Sequence, residues 1–213
     1  MARNIPKQLQ NGLVMWLDGA GSDLSGTGNT GTLNSSPTKL RRLQNDWLTY
    51  NGSTQSVSTG INTTWAMTVS AWIYFSTLPT NGWIVTKDSG TAVNGCQFNI
   101  WINGSQQLRW AINTSWWTER HIVYTTALAT NKWHNIVWTF SGSGWELRLF
   151  LNWVDIWNLA WAATTQATTG TTMYVGRRGN WWYFPWNIVN PMIYNRALSA
   201  TEVQLLHKAT FIK

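Results

Sequence analysis

The residues that could do chemistry are few and scattered. Eight carboxylates occur in 213 residues: Asp18, Asp23, Asp46, Asp88, Glu119, Glu146, Asp155 and Glu202. Hydrolysis of a glycosidic bond needs two carboxyl groups flanking it, roughly 5–5.5 Å apart for retention or 6.5–9.5 Å for inversion. On one strand that means acids two or four positions apart, because alternate side chains share a face. The closest pair, Asp18 and Asp23, is five apart, so spacing argues against a hydrolase and leaves open only acids meeting from different strands. His121, His134 and His207 lie far apart and Cys96 is the single cysteine. They offer no zinc-ligand spacing and no internal disulfide. No Gly-x-Ser-x-Gly elbow occurs, and the loop with Gly21, Gly26 and Gly28 is not followed by Gly-Lys-Ser/Thr. Neither an activated serine nor a phosphate cradle is encoded.

Charge excludes a further class. Fifteen Lys and Arg against eight Asp and Glu give a formal +7, but Arg41-Arg42 and Arg177-Arg178 are the only adjacent pairs. A nucleic-acid footprint needs basic residues clustered on one face or along a helix, so no nucleic-acid partner is expected. Charged residues make up 11%, against about 25% in ordinary soluble domains. Thr, Asn, Ser and Gln supply the polarity instead, as in exported or surface-displayed β proteins. No stretch nears the ~18 consecutive apolar residues of a membrane helix, so no membrane insertion is expected. The opening Met1 to Gln10 lacks the apolar core of a secretory signal and is expected as a loose arm before one domain over 11–213.

The elements that must position any site read as short strands. Thr68 to Phe75 alternates at period two and is rich in aromatic and β-branched residues, the pattern of a half-buried strand. Similar runs cover Ile84 to Thr86, Gln97 to Ile102, Leu108 to Ile112, His121 to Thr126, His134 to Phe140, Glu146 to Leu151 and Met173 to Gly176. Turn clusters such as Pro79-Thr80-Asn81-Gly82 and Asn103-Gly104-Ser105 separate them. Strands at this spacing predict a sandwich or barrel. One helix is expected, at the end: Ser199 and Glu202 form a capping box ahead of the apolar stripe Val203, Leu205, Leu206.

Segments at the start, middle and end of the chain carry a family resemblance. Gly12-Leu13-Val14-Met15-Trp16-Leu17-Asp18 stands near the start; Met67 to Ile73 and Lys132-Trp133-His134-Asn135-Ile136-Val137 stand in the middle. Gly176-Arg177-Arg178 then leads through Tyr183-Phe184 to Ile193-Tyr194-Asn195-Arg196-Ala197-Leu198-Ser199. Taken in order over residues 11 to 209, they resemble the laminin-G-like branch of the concanavalin A-like lectin/glucanase superfamily. The resemblance implies an all-β, two-sheet antiparallel jelly-roll sandwich with a short C-terminal helix. It implies a non-catalytic recognition module for carbohydrate or a surface protein, extracellular, on a cell surface or on a virion. The alternative is a structural or adhesion domain of a virion or cell envelope without sugar affinity. The Glu-x-Asp-x-Glu arrangement of the related glucanases is missing. The resemblance also implies one structural calcium ion where first and last strands meet, for which Asp18, Asp23 and Asn29 are the candidate ligands; the same residues equally suit side-chain-to-backbone turns. An acid often seen in such domains after Phe-x-Gly-x-Ile is Val189 here. Ligand contact is expected on the 113–120 and 178–186 loops, at Trp116, Trp117, Arg178, Trp181, Trp182 and Tyr183.

Tryptophan is the compositional outlier, at 18 residues. Tyr50-Asn51-Gly52-Ser53 and Ile102-Asn103-Gly104-Ser105 contain Asn-Gly, the strongest short hairpin signal. Leu151-Asn152-Trp153-Val154 repeats the pattern with Trp in the glycine slot, where the resemblance implies Asn-Gly; Trp186 likewise stands where it implies glycine. Trp145, Trp157, Trp161, Trp181 and Trp182 fall in loop contexts, and Trp47, Trp65, Trp83, Trp101, Trp116 and Trp117 are plausible further members. Some genetic codes read UGA as glycine and others as tryptophan, so a glycine-code gene translated with the other table would give this pattern. The competing expectation is an aromatic platform for sugar rings. Trp16, Trp72 and Trp133 are expected as genuine, with Trp72 and Trp133 in the core.

Overall fold

The computed structural model describes residues 5–40, 47–61, 66–88, 96–114, 118–142, 146–160, 172–179 and 182–211. In chain order its strands are β1 (Leu13–Trp16), β2 (Thr32–Asn34), β3 (Thr38–Leu40), β4 (Trp47–Thr49), β5 (Ser56–Thr59), β6 (Met67–Phe75), β7 (Gly82–Asp88), β8 (Cys96–Ile102) and β9 (Leu108–Thr114). They continue with β10 (Thr118–Tyr124), β11 (Lys132–Phe140), β12 (Glu146–Leu151), β13 (Val154–Ala160), β14 (Thr172–Val175), β15 (Arg177–Arg178), β16 (Trp182–Tyr183) and β17 (Asn187–Tyr194), before the helix α1 (Ala200–Thr210). The first sheet runs β13-β12-β11-β6-β17-β4-β3, with β1 also on β17; the second runs β10-β9-β8-β7-β14-β5-β2. The pairings are antiparallel, so this is the expected two-sheet, jelly-roll-like sandwich with one short helix.

Alternation decides which face each strand buries. From β6, Met67, Val69, Ala71, Ile73 and Phe75 enter the core between the sheets, where they meet Ile84, Val85, Phe98, Ile100 and Ile102 of the second sheet. The intervening Thr68, Ser70 and Trp72 are buried too, because the outer face of the first sheet is also covered. There Val137, Phe150, Met192 and Tyr194 pack under Val203 and Leu206 of α1. Trp72 is therefore buried against the helix side, with Val189 and the half-buried Trp133.

The helix begins where the capping box predicts. Ser199 Oγ accepts the Glu202 N–H at 3.3 Å, and Glu202 Oε2 accepts the Ser199 N–H at 2.8 Å. Arg196 grips Glu202 through both guanidinium ends, at 2.7 and 3.0 Å, and also donates to the Asn11 carbonyl at 2.9 Å.

The arm expected over residues 1–10 is not loose from residue 5 onward. Lys7–Leu9 form a 3-10 turn, and Ile5 and Leu9 are buried beside Val203 and Leu206. Burying a side chain such as Leu9 is worth about 1.5–3 kcal/mol, enough to hold a short segment down. From Arg3 to Gln10 only Ile5 and Leu9 are large and apolar, which hid this in the sequence.

Candidate functional site

The outer face of the second sheet carries an aromatic and guanidinium row. With Ile100, Ile102 and Leu108 turned into the core, alternation sends Trp101 and Arg109 outward. Pairing sets Trp83 opposite Trp101 and Trp101 opposite Arg109. The rings of Trp83 and Trp101 stack at 4.7 Å and 11°. The Arg109 guanidinium carbon lies 4.8 Å from the Trp101 ring centre, within cation–π range.

The ribbon of β15 and β16 extends the row. Gly176, at φ +82, turns the chain out of β14, and a Cβ there would meet the Tyr50 ring at 2.8 Å. Only glycine suits that combination. Its N–H donates to the Ile84 carbonyl and its own carbonyl accepts the Phe184 N–H, both at 2.8 Å. The ribbon then lays Arg178 over Trp83, 4.6 Å from the ring centre, and 5.7 Å from that of Trp182. Arg178 is 7% exposed and Trp182 47%, so the ring fronts solvent and the guanidinium lies beneath it. Tyr183 pairs with Arg177, whose guanidinium covers Tyr174 at 4.3 Å.

Of the expected contact residues, Arg178, Trp182 and Tyr183 thus come together on one ribbon. Trp116, Trp117 and Trp181 lie outside the described residues, as do Trp65, Trp145 and Trp161 and the side chains of Trp47 and Trp157. Trp186 packs half-buried against the core. The sequence did not single out Arg109, and it offered Trp83 and Trp101 only as plausible members of the misread-glycine set. Their outward alternation was legible; the register that aligns three strands was not.

Carboxylates from neighbouring strands do meet. Arg148 binds Glu146 at 2.7 Å and Asp155 at 3.1 Å. The guanidinium occupies the space between them that a scissile bond would need. A cavity of about 360 Å³ beside them also takes in Glu202, Ser199 and Thr139. Hydrogen bonds from Arg196, aided by those of Ser199 and opposed by burial, hold the Glu202 carboxyl down at about 2. A glycosidase acid needs the opposite shift.

The expected calcium ligands are committed elsewhere. Asp23 Oδ1 accepts the N–H groups of Trp16 and Ser25, and Oδ2 accepts Ser25 Oγ, Thr27 Oγ1 and the Asn29 N–H, all at 2.8–3.0 Å. Burial pushes the Asp23 pKa up, and these bonds more than offset it. Asp18 Oδ1 caps Ala20 and Ser22, and Asn29 aims its Nδ2 at the Val14 carbonyl at 2.7 Å. Carboxylate oxygens that face N–H and O–H donors are not a cage for a hard cation. The set does not fit calcium, and the turn-forming alternative describes it.

Two antiparallel sheets around one core, with loops and an outer face presenting rings and guanidinium groups, define a lectin-like β-sandwich. The chain belongs to the concanavalin A-like lectin/glucanases superfamily, whose laminin-G family model matches residues 48–204. No curated protein sequence matches it. Among solved structures it is similar to the binding domain of Paraclostridial Mosquitocidal Protein 1 (TM-score 0.76, 18% identity, 96% of this chain and 53% of that one). It is also similar to the botulinum neurotoxin serotype D ligand binding domain in complex with N-acetylneuraminic acid (0.76, 14%, 94% and 52%). A third is the botulinum neurotoxin DC binding domain in complex with rat synaptotagmin II (0.75, 15%, 95% and 52%). The chain spans about half the length of each, and at these identities the likeness is one of fold.

Proposed function

We propose that this domain is a non-catalytic recognition module that binds a glycan or a surface protein through the outer face of the second sheet. The observation that carries the reading is the convergence of Arg109, Arg178 and Trp182 on one face, around the stacked Trp83 and Trp101, although they come from β9, β15 and β16. Charged groups held by a rigid sheet recognise a partner without being remade on binding. Two solved relatives of the same fold were captured with a sialic acid and with a protein, which supports both ligand classes. The module works outside the cell or on a virion surface, as part of a larger assembly.

The non-catalytic reading is supported by Glu146 and Asp155, which both serve Arg148, and by Glu202, which serves Arg196. The second reading is a structural or adhesion domain without sugar affinity. It is favoured by the direct pairing of the first strand with the last, which sets Leu13 beside Tyr194.

A glycan array with a panel of surface proteins tests the proposal. Binding is expected, weakened at least tenfold in Arg109→Ala and Arg178→Ala. No binder on either panel overturns it and favours the structural role.

A further inference from the structure

Five buried tryptophans among the described residues separate by what the indole nitrogen meets. The indole N–H of Trp16 donates to Asn190 Oδ1 at 3.4 Å, and that of Trp72 donates to Thr210 Oγ1 at 2.9 Å. The indole nitrogens of Trp83, Trp110 and Trp138 are buried with no hydrogen-bond partner among the described residues. Native interiors pair nearly all such groups.

Crowding accompanies the missing partners. The rings of Trp110 and Trp138 are 4.1 Å apart at 41°, closer than the 4.5–7 Å that aromatic pairs usually adopt. Trp138 also meets Phe98 at 5.8 Å and Phe140 at 6.4 Å. Trp138 is thus the ring on which the three contacts of this cluster converge. At Trp83 the β7–β8 register slips, a bulge of the kind glycine marks in strands.

Backbone geometry isolates a third position. β12 and β13 are joined by a two-residue turn, Asn152 at φ +50 and Trp153 at φ +66, between the paired Leu151 and Val154. Two successive positive φ values are those of the hairpin turn that takes Asn-Gly. The other described non-glycine residues with positive φ are Ser, Asn or Gln; Trp153 is the aromatic exception.

We infer that Trp83, Trp138 and Trp153 stand where the natural protein carries glycine, through UGA codons that the source cell reads as glycine. Orphaned indoles and a turn no bulky side chain favours are what tryptophan forced into glycine positions leaves behind. Trp16 and Trp72, partnered and unstrained, are genuine. One consequence rests on the recognition role proposed above. Without the Trp83 ring, the face keeps Arg109 and Arg178 beside Trp101 and the exposed Trp182, so it suits a carboxylate-bearing or sulfated glycan whose ring lies on Trp182.

The test has three readings. The gene is expected to show UGA at all three positions and UGG at Trp16 and Trp72; UGG at Trp138 or Trp153 overturns the inference. The W83G/W138G/W153G chain is expected to melt several degrees higher than the tryptophan chain, whereas W72G melts lower; a lower melting point for the triple variant also overturns it. On a glycan array the triple variant is expected to prefer sialylated or sulfated glycans. Absence of any binding there, with UGA codons found, overturns the acidic-glycan assignment and leaves the glycine assignment standing.

Discussion

Trp72 and Thr210 are joined by a 2.9 Å hydrogen bond from the indole N–H to Oγ1, and the same hydroxyl donates to the Leu206 carbonyl at 2.7 Å. The bond ties the last turn of α1 to the middle of β6, 138 residues away. Thr210→Val keeps the side-chain shape and removes the acceptor, leaving a buried indole N–H unpaired at a cost of about 1–3 kcal/mol. The melting temperature is expected to fall by about 3–10 °C. An unchanged value would show that the helix is held by apolar contacts alone.

Acid should loosen the same region in two stages. His207 is packed among the rings of Trp72, Trp153 and Phe211, at 4.9, 4.5 and 5.6 Å, with Nδ1 3.3 Å from Asn135 Oδ1. Burial lowers its pKa from 6.5 to about 4. Between those values the unfolded chain binds a proton that the folded chain refuses. Its contribution is whole above pH 6.5 and is lost as pH falls toward 4. Glu202, at about 2 against 4.5 unfolded, acts lower: its contribution is lost as pH falls from 4.5 toward 2. In melting curves against pH, His207→Gln should flatten the first descent and Glu202→Gln the second. A single descent below pH 4.5 would remove His207 from the account.

The sandwich was legible because period-two alternation is a local signal: Thr68 to Phe75 reads as a strand and lies within β6. Likewise, Ser199 and Glu202 announce α1 three residues apart. What stayed hidden was set by pairing across the chain. The row Trp83, Trp101, Arg109 depends on the registers of β7, β8 and β9, and no one of those strands encodes the other two. The two shortest strands, β15 and β16, have two residues each, too few to show alternation. Asp23 looked like a cation ligand because sequence gives its type but not the five donors folded around it.

Arg196 should prove to be the clasp for the N-terminal segment. It reaches Glu202 in the helix and the carbonyls of Gln8 and Asn11 at 3.4 and 2.9 Å. Arg196→Ala is expected to speed hydrogen exchange at the Leu9 and Val203 amides about tenfold or more, with Ile73 in the centre of β6 unaffected. Such exchange reports local opening rather than global unfolding. Uniform acceleration across all three would mean that the segment and the sandwich open as one.

Asp23 decides whether the loop before β2 is held by an ion or by its own hydrogen bonds. Its carboxylate takes five donors from Trp16, Ser25, Thr27 and Asn29, so a cation entering there would have to turn those groups away. Adding a chelator is therefore expected to leave the melting temperature unchanged within about 1 °C. Asp23→Asn puts an amide NH₂ against donors that need an acceptor; hydrogen bonds to a charged group are each worth about 1.5–3 kcal/mol. The variant should melt at least about 5 °C lower, with or without chelator present. A chelator-dependent drop of several degrees in the parent protein, abolished by Asp23→Asn, would show that the loop rearranges around a bound cation and that the carboxylate serves as its ligand.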